Sequence, residues 1–220
     1  PDDAYAFRRE GGARGKTECW YALDCPADEE IVVGHHARTR EELCRLAREG
    51  RWDRLLRRTP VQAGDFFQIP AGCIHAICGG TKVLEIQENS DLTYRLYDYG
   101  RQRDGRPRPL QLDKALEVIT VPFVPAQAPA QAEEEGQGAG GGLRLLADCP
   151  YYTVWEAQLR DGLQLGSQEA FRILSIVRGE GTVGGIPVQA GQTLLLPAGS
   201  GRLDVSGGMT GVLAAGGKRH

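Results

Sequence analysis

The sequence has no apolar run that approaches the roughly 18–20 residues of a transmembrane helix. It also has no recognisable secretion signal, although the chain of 220 residues starts Pro-Asp-Asp without an initiator methionine. Its net charge of −3 excludes a strong attraction to nucleic acid or to an anionic membrane surface. We therefore expect a cytoplasmic protein with neither a nucleic-acid nor a membrane partner.

The sequence likewise lacks cysteines at the spacing of a disulfide framework or of a Cys-x-x-Cys metal site. Its 6 cysteines are scattered, and free thiols in a reducing cytosol are the default for such a chain. A metal cluster of Cys73, His75 and Cys78 is disfavoured, because a strand would point Cys78 away from the other two. The adjacent His35 and His36 would point to opposite sides of a strand, so we interpret them as structural or peripheral.

Long helical patterns are scarce, whereas glycine is abundant at 30 residues, about twice its average usage of roughly 7%. Many turns and short strands are therefore expected. The clearest helical pattern is Thr39–Arg58, where Thr39 and Glu42 fit a capping box and apolar residues recur at helical spacing, with a break at Gly50. Leu112–Thr120 predicts a short helix, and the polar, glycine-containing residues 1–15 predict a loop.

The most informative stretch is Gly64–His75, which reads Gly-Asp-Phe-Phe-Gln-Ile-Pro-Ala-Gly-Cys-Ile-His. A short apolar run ends at Pro70 and Gly72, and His75 lies at the start of a second run. A strand, a tight turn and a second strand can aim an imidazole into a barrel from a rigid support. The pattern resembles the second motif of the cupin superfamily, small antiparallel β-barrels that hold a metal. Taken alone, it also fits an ordinary hairpin with a structural histidine.

An internal repeat supports the first interpretation. Pro60–His75 recurs 127 residues later as Pro187–Arg202, without a gap and with identical Pro-Val-Gln-Ala-Gly and Pro-Ala-Gly segments. Such a repeat indicates two copies of one supersecondary unit. The second copy has Arg202 in place of His75, and a guanidinium offers no lone pair to a metal. The repeat therefore assigns the metal chemistry to the first copy.

The chain divides at residues 121–142, a low-complexity stretch of Pro, Ala, Gln, Glu and Gly that predicts a flexible linker. We predict a mainly β protein made of two cupin, jelly-roll-like barrels. Residues 1–120 would form a metal-binding cupin domain with a short helical insertion, and residues 143–220 a second, metal-free cupin domain.

Alternation along two predicted strands places charged side chains together. In Lys16–Asp24, Lys16 and Glu18 share one face. The odd-numbered series of the strand Thr81–Asn89 is polar and continues past a bend: Glu85, Gln87, Asn89, Asp91 and Arg95. A polar face normally meets water, but in a barrel with a functional interior it can point inward.

Three motifs, in the correct order, resemble the short bacterial type I mannose-6-phosphate isomerases: Gly15–Tyr21, Pro70–Ala76 and Ser90–Tyr99. The resemblance covers most of residues 1–120 and extends loosely to 143–216, where that family also has a small metal-free cupin domain. It implies a zinc-dependent aldose–ketose isomerase that interconverts mannose 6-phosphate and fructose 6-phosphate.

The resemblance also implies a set of site residues. Glu18 and His75 match two of the family's four Zn²⁺ ligands. The other two, a Gln-x-His pair, lie directly before Pro-Asp-Asp in the family, so we expect them upstream of Pro1. With two ligands, the 220-residue chain is expected to bind zinc weakly or not at all and to be inactive by itself. The other matches lie in the substrate pocket: Lys16, the catalytic Arg95, and the acidic Glu85 and Asp91.

The chemistry of the reaction agrees with these residue types. Aldose–ketose isomerisation moves a proton between C1 and C2 through an enediol or enediolate, for which Zn²⁺ is a suitable Lewis acid. Candidates for proton transfer are Glu85, Asp91 or a metal-bound water. Candidates for neutralising the phosphate and the enediolate are Lys16 and Arg95, and the sequence does not say which residue serves which group.

Two alternatives come from other functional classes. One is a non-catalytic cupin that binds a sugar phosphate without turnover, and the other is a different metal-cupin enzyme such as a dioxygenase or an epimerase. The presence of Lys16, Glu18, His75 and Arg95 favours the isomerase. The expected partner is a phosphorylated hexose, and the expected state is a monomer or a small homo-oligomer.

Overall fold

A computed structural model describes residues 1–126, 135–138, 141–167 and 170–217. It separates into two compact units, Pro1–Ala126 and Gln127–His220. The strands of both units pair antiparallel, and strand residues outnumber helical ones in the chain as a whole, which confirms the predicted β class. Residues 121–142, predicted as a linker, lie partly outside the described ranges; their described part includes the strand Glu135–Gly138. No helix in the described ranges is long and apolar enough to span a bilayer.

The first unit combines short helices with three small sheets. Its helices are α1 (Asp3–Arg9), α2 (Arg40–Arg48), α3 (Trp52–Leu55) and α4 (Leu112–Val118). Its strands are β1 (Glu18–Asp24), β2 (Glu30–His35), β3 (Leu56–Pro60), β4 (Phe66–Ile69), β5 (His75–Ala76), β6 (Lys82–Gln87), β7 (Gln102–Arg103) and β8 (Arg106–Pro107). The sheet orders are β4-β1-β6, β3-β2-β5 and β7-β8.

Two predictions about helices need correction. Residues 1–15 are not simply a loop, because they contain α1, whose N-cap Asp2 accepts a hydrogen bond from the Tyr5 amide at 2.7 Å. The Tyr5 hydroxyl then donates to Glu117 of α4 at 2.6 Å, a distant contact that sequence periodicity does not reveal. The helical segment predicted over Thr39–Arg58 breaks around Gly50 as expected, between α2 and α3, but it is too long at its end, since its last residues form β3, which pairs with β2.

The capping of α2 is as predicted. The Thr39 hydroxyl accepts a hydrogen bond from the Glu42 amide at 3.2 Å, which satisfies one of the free N–H groups of the first turn. The apolar face of α2 buries Leu43 and Leu46 in a cluster that also contains Leu116 of α4. This cluster supports the loop that follows β6, because Leu96 is buried in the same core.

The second unit is dominated by one large sheet. Its strands are β9 (Glu135–Gly138), β10 (Gly141–Asp148), β11 (Tyr152–Leu159), β12 (Gln164–Ser167), β13 (Arg172–Val183), β14 (Ile186–Gln189), β15 (Thr193–Leu196) and β16 (Gly201–Gly216). The order is β14-β13-β16-β11-β10-β9, and β12 and β15 pair with β16 and β13. Among the residues described in either unit, no sheet closes into a barrel, so the barrel part of the prediction is not confirmed.

The internal repeat is visible in the backbone of both units. β4 and β15 occupy corresponding positions of the two copies. Each follows a glycine with positive φ, Gly64 at 98° and Gly191 at 90°, whose N–H donates to the neighbouring strand at 2.9 Å. After each strand a turn is closed by the N–H of Cys73 or Ser200, which donates to the carbonyl three residues earlier at 3.1 Å or 3.2 Å.

The correspondence extends to the strands that carry the predicted metal ligands. Arg172 on β13 corresponds to Glu18 on β1. The pairing of β13 with β15 gives Arg172 the same register as the pairing of β1 with β4 gives Glu18. Arg202 on β16 corresponds to His75 on β5. Arg202 lies where β16 pairs with β12, and His75 lies where β5 pairs with β2. Arginine therefore stands at both of these positions in the second unit, whereas the sequence repeat pointed only to Arg202.

His35, at the end of β2, is a buried histidine with one polar contact. The residue is only 4% exposed, and its Nε2 donates to the Thr120 carbonyl at 2.9 Å. Its Nδ1 is buried without a hydrogen-bond partner among the described residues. Burial lowers the pKa of His35 from its usual 6.5, an effect that outweighs the opposing hydrogen bond to Thr120. The fold therefore favours the neutral imidazole.

We expect His35 to make the protein less stable in mild acid. Because its folded pKa lies below the unfolded value of about 6.5, its stabilising contribution is complete above that pH and is lost as the pH falls below it. His35→Gln keeps a donor for Thr120 but does not titrate, so its urea midpoint should change less between about pH 7.5 and about pH 5.5. The matched control is His36→Gln, at an exposed position; equal pH dependence in both variants would contradict the assignment.

Candidate functional site

Glu18 is the buried centre of the candidate site. It begins β1, between β4 and β6, and is 1% exposed. It lies opposite Gln87, and Trp20 lies opposite Glu85, so these four side chains share one face of the sheet. This register agrees with the face predicted from alternation. A glutamate carboxylate this deeply buried requires charged or hydrogen-bonding partners.

His75 supplies the first of these partners from a different sheet. Its Nε2 lies 2.7 Å from Glu18 Oε1, and its Nδ1 lies 3.0 Å from the Cys73 carbonyl oxygen. Since a carbonyl only accepts, Nδ1 carries a proton, which fixes the ring with Nε2 directed at Glu18. The Trp20 ring meets the imidazole edge to face, with centroids 5.3 Å apart. The imidazole is thus held in position from two sides.

Lys16 supplies the second partner and links two carboxylates. Its Nζ donates to Glu18 Oε2 and, at 3.0 Å, to Glu85 Oε1. The other oxygen of Glu85 accepts from the Trp20 indole at 3.3 Å. Burial alone would lower the pKa of Lys16, but the hydrogen bonds to the two glutamates raise it above 10.5. Lys16 is therefore protonated at neutral pH and bonds both glutamates.

The protonation state of Glu18 is set by opposing effects. Burial alone raises its pKa, but the hydrogen bond and charge of His75, together with Lys16, outweigh burial and lower the pKa to about 2. Glu18 is therefore ionised throughout the neutral range. Burial also raises the pKa of Cys73 to about 11, so the neighbouring thiol stays protonated at neutral pH.

The donors of this cluster fit one part of a zinc site. An ionised Glu oxygen and an imidazole nitrogen are both common zinc ligands, and here they face each other at 2.7 Å. No group of three or more His, Cys, Asp or Glu side chains that could hold a metal occurs within the described ranges. Glu18 and His75 are two side chains of the types that hold zinc, and they lie within contact of each other.

A cavity of about 270 Å³ opens beside this cluster. It is lined by Lys16 and His75, and by residues of the loop after β6. Arg95 belongs to this loop; its amide donates to Gln111 Oε1 at 2.9 Å, and its guanidinium donates to the Pro109 carbonyl at 3.3 Å. The structure therefore brings Lys16, His75 and Arg95 to one cavity.

Glu85 and Asp91 are placed differently from each other. Glu85 lies outside the cavity lining but bonds directly to Lys16, which belongs to it. Asp91 is exposed and is absent from the described lining of the cavity. Of the two predicted acidic residues, the structure joins only Glu85 to the cluster around Glu18.

Sequence reasoning missed several residues of the cavity. Asp98, Arg101 and Arg108 line it, and Asp98 Oδ1 lies 2.6 Å from Arg101 and 3.4 Å from Arg108. Asp98 lies inside the stretch Ser90–Tyr99 that carried the family resemblance, which was a usable signal. Arg108 follows the hairpin of β7 and β8. The turn of this hairpin has only a weak signal in the sequence, Asp104-Gly105.

Comparisons with known proteins identify a family. The chain is 42% identical over 212 residues to "Mannose-6-phosphate isomerase ManA" of Bacillus subtilis, covering 94% of this chain and 66% of ManA. The crystal structure of the mannose 6-phosphate isomerase from Bacillus subtilis superposes with a TM-score of 0.90 at 36% identity, covering 97% of this chain and 69% of that one. The chain thus spans about two thirds of the length of these relatives.

A more distant structure shares the fold alone. A mannose 6-phosphate isomerase bound with zinc and yttrium has a TM-score of 0.70 at 14% identity, covering 93% of this chain and 67% of that chain. No protein-family model matches the chain. The two Bacillus subtilis comparisons bear on membership of a family, whereas this one bears on the fold.

Proposed function

The chain belongs to the mannose-6-phosphate isomerase family, and on this basis we propose that it carries the catalytic site of a zinc-dependent isomerase. Its substrates would be mannose 6-phosphate and fructose 6-phosphate. The observation that carries the proposal is the cluster around Glu18, in which His75 Nε2 lies 2.7 Å from one carboxylate oxygen and Lys16 bonds the other. A buried carboxylate, an oriented imidazole and a fixed cation are the groups that a metal-assisted isomerisation requires.

Glu18 and His75 are the residues of this chain that would hold Zn²⁺. The metal, when bound, would act as a Lewis acid that stabilises the negative charge developing on the substrate oxygens. Glu18 suits this role because it is ionised at neutral pH. His75 suits it because its Nδ1 proton is held by the Cys73 carbonyl, which leaves Nε2 as the ligand atom.

Glu85 is the better placed of the two candidates for moving the proton between C1 and C2. Its carboxylate is held by Lys16 at 3.0 Å and by the Trp20 indole at 3.3 Å, whereas Asp91 is exposed and is not among the residues that line the cavity. Two donors fix the position of a base that is 33% exposed and can still exchange protons with water. Asp91 would then have a peripheral role.

Lys16 and Arg95 would supply the positive charge that the substrate needs. Lys16 lies within the Glu18 cluster and is suited to stabilising the enediolate beside the reacting carbons. Arg95 lines the same cavity from the loop after β6, where it contacts Gln111 and Pro109. We assign it to another part of the phosphorylated hexose.

The finer features of the fold form part of the same proposal. We infer two cupin domains at residues 1–120 and 143–220, the second of them metal-free, because arginine stands at both positions that correspond to Glu18 and His75.

The 6 free cysteines suit a reducing compartment such as the cytoplasm. A monomer or a small homo-oligomer would satisfy the chemistry, since every proposed group lies in one chain.

The experiment that tests the proposal is an isomerase assay on the intact protein. Conversion of mannose 6-phosphate to fructose 6-phosphate should occur, cease after treatment with a chelator and return on addition of zinc. Binding of mannose 6-phosphate without conversion would instead identify a non-catalytic binding protein. Bound iron without isomerase turnover would identify a different metal enzyme.

A further inference from the structure

Arg95 is held by the segment that leads into α4. Its amide donates to Gln111 Oε1 at 2.9 Å, and its carbonyl accepts from the Gln111 amide, also at 2.9 Å. The guanidinium of Arg95 donates to the Pro109 carbonyl at 3.3 Å, and Gln111 Nε2 donates to that same carbonyl at 3.4 Å. Gln111 therefore contacts both backbone groups of Arg95 and also the carbonyl that binds its guanidinium.

The side-chain amide of Gln111 has one orientation that satisfies these contacts. A backbone N–H only donates and a backbone carbonyl only accepts, so the amide oxygen must face Arg95 and the amide nitrogen must face Pro109. With the two ends exchanged, both hydrogen bonds would be lost. The amide is thus a fixed bridge between the backbone of Arg95 and the acceptor of its guanidinium.

Gln111 is the N-cap residue of α4, but its side chain does not cap the helix. It makes no hydrogen bond to the free N–H groups of the first turn, a role for which Ser, Thr, Asp and Asn are the preferred residues. The Thr39 hydroxyl, by contrast, does cap α2. The side chain of Gln111 is directed to Arg95 instead, so its contacts serve the loop that lines the cavity.

α4 gives this contact a firm support. Its Leu116 is buried in the same cluster as Leu96, the residue that follows Arg95. The residue before Arg95 is also anchored, because the Tyr94 hydroxyl donates to Glu10 at 2.6 Å. The contacts of Arg95 therefore join it to a packed core.

The side chain of Arg95 needs such support. It is 27% exposed, and its Nε lies 3.9 Å from the Asp98 carboxylate, which is beyond hydrogen-bond distance. A long arginine side chain has many rotamers, and holding it in one of them costs conformational entropy. A fixed backbone and a fixed carbonyl acceptor limit the positions that the guanidinium can reach before a substrate binds.

We propose that Gln111 is a positioning residue that holds Arg95 ready for the substrate. The inference rests on the proposed function for the role of Arg95, but not for the contact between the two residues. Gln111 is not among the described residues that line the cavity, so it would act through Arg95 and not on the substrate itself.

Gln111→Met tests this role, because methionine has a similar length but no amide oxygen for the Arg95 N–H. In the intact, zinc-loaded protein, kcat for mannose 6-phosphate should fall by about 10- to 100-fold, the effect of slightly misplacing a group that contacts the substrate. Zinc content should not change, since Glu18 and His75 are held by each other and by other residues. The control is Gln62→Met, which changes an exposed glutamine of the same unit and should leave kcat unchanged.

A double variant with Arg95→Met separates positioning from a general loss of structure. If Gln111 acts through Arg95, the double variant should be about as slow as Arg95→Met alone, because both changes remove one shared interaction. If Gln111 only stabilises the fold, its effect should multiply with that of Arg95→Met. Multiplying effects would overturn the positioning role.

Gln111→Ser provides a second variant, which serves even if Gln111→Met does not fold. Serine is too short to reach the Arg95 amide, but it is a preferred N-cap residue and should stabilise α4. Positioning therefore predicts a protein that resists urea at least as well as the unchanged one and still loses kcat. Full kcat in Gln111→Ser would contradict the inference.

Hydrogen exchange of the Arg95 amide tests the contact without any turnover. In Gln111→Met this amide loses its acceptor and should exchange at least about tenfold faster. The Cys73 amide, which donates to the Pro70 carbonyl at 3.1 Å, should exchange as before. Unchanged exchange of the Arg95 amide overturns the inference even if the protein is an active isomerase. Faster exchange in a protein without isomerase turnover supports the contact and overturns the proposed function instead.

Discussion

His75→Ala is expected to abolish zinc retention and isomerase turnover together. In the proposed function His75 is one of the two Zn²⁺ ligands that this chain supplies, and its Nε2 faces Glu18 at 2.7 Å. Loss of a residue that merely orients a ligand costs about 10- to 100-fold in metal affinity or activity, so the loss of a ligand should cost at least about 100-fold. Zinc content of the purified intact protein and its turnover of mannose 6-phosphate measure the two effects.

Glu18→Gln should have the same result for a related reason. The substitution keeps the shape of the side chain but removes the negative charge that Lys16 and His75 stabilise. The matched controls are His36→Ala and Glu41→Ala, which change exposed residues of the same unit. Normal turnover in His75→Ala would contradict the assignment of the site. Normal zinc content with lost turnover would make His75 a catalytic group instead of a ligand.

The candidate site was largely predictable because strand geometry is local. Alternation within one strand placed Lys16 beside Glu18, and alternation within another gave the polar series that contains Glu85. Neither pattern fixed the pairing of the two strands, yet β1 lies directly beside β6, with Trp20 opposite Glu85. Since side chains alternate strictly along a strand, a correct face in each strand leaves few ways in which the polar residues can meet.

The parts of the fold that the sequence did not reveal depend on distant contacts. α1 is held by hydrogen bonds that reach from Tyr5 to Glu117, more than 100 residues away. The segment after α3 becomes a strand because β2 lies beside it, although its own residues continue a helical pattern. The arginine group around Asp98 is assembled by turns in a loop that carries no periodic pattern. Local propensity is a poor guide in each of these cases.

Lys16 provides a test in which zinc binding and turnover should respond differently. Its Nζ bonds Glu18 Oε2 and Glu85 Oε1, and its pKa is raised above 10.5, so it stays protonated at any working pH. A cation on Glu18 opposes a second cation at the same carboxylate. Lys16→Met should therefore leave zinc affinity unchanged or stronger, in contrast to the changes at Glu18 and His75.

Turnover in Lys16→Met should nevertheless fall by about 100- to 1,000-fold, the usual cost of removing a group that stabilises an oxyanion in the transition state. Zinc affinity is measured by competition with a chelator, and turnover by the conversion of mannose 6-phosphate. Lys82→Met is the control, because Lys82 forms an exposed pair with Asp24 at 3.2 Å. If Lys16→Met lost zinc as well, Lys16 would be needed to build the metal site. If it kept full turnover, the charge on the enediolate would have to be stabilised by other groups, of which Arg95 is a candidate in the same cavity.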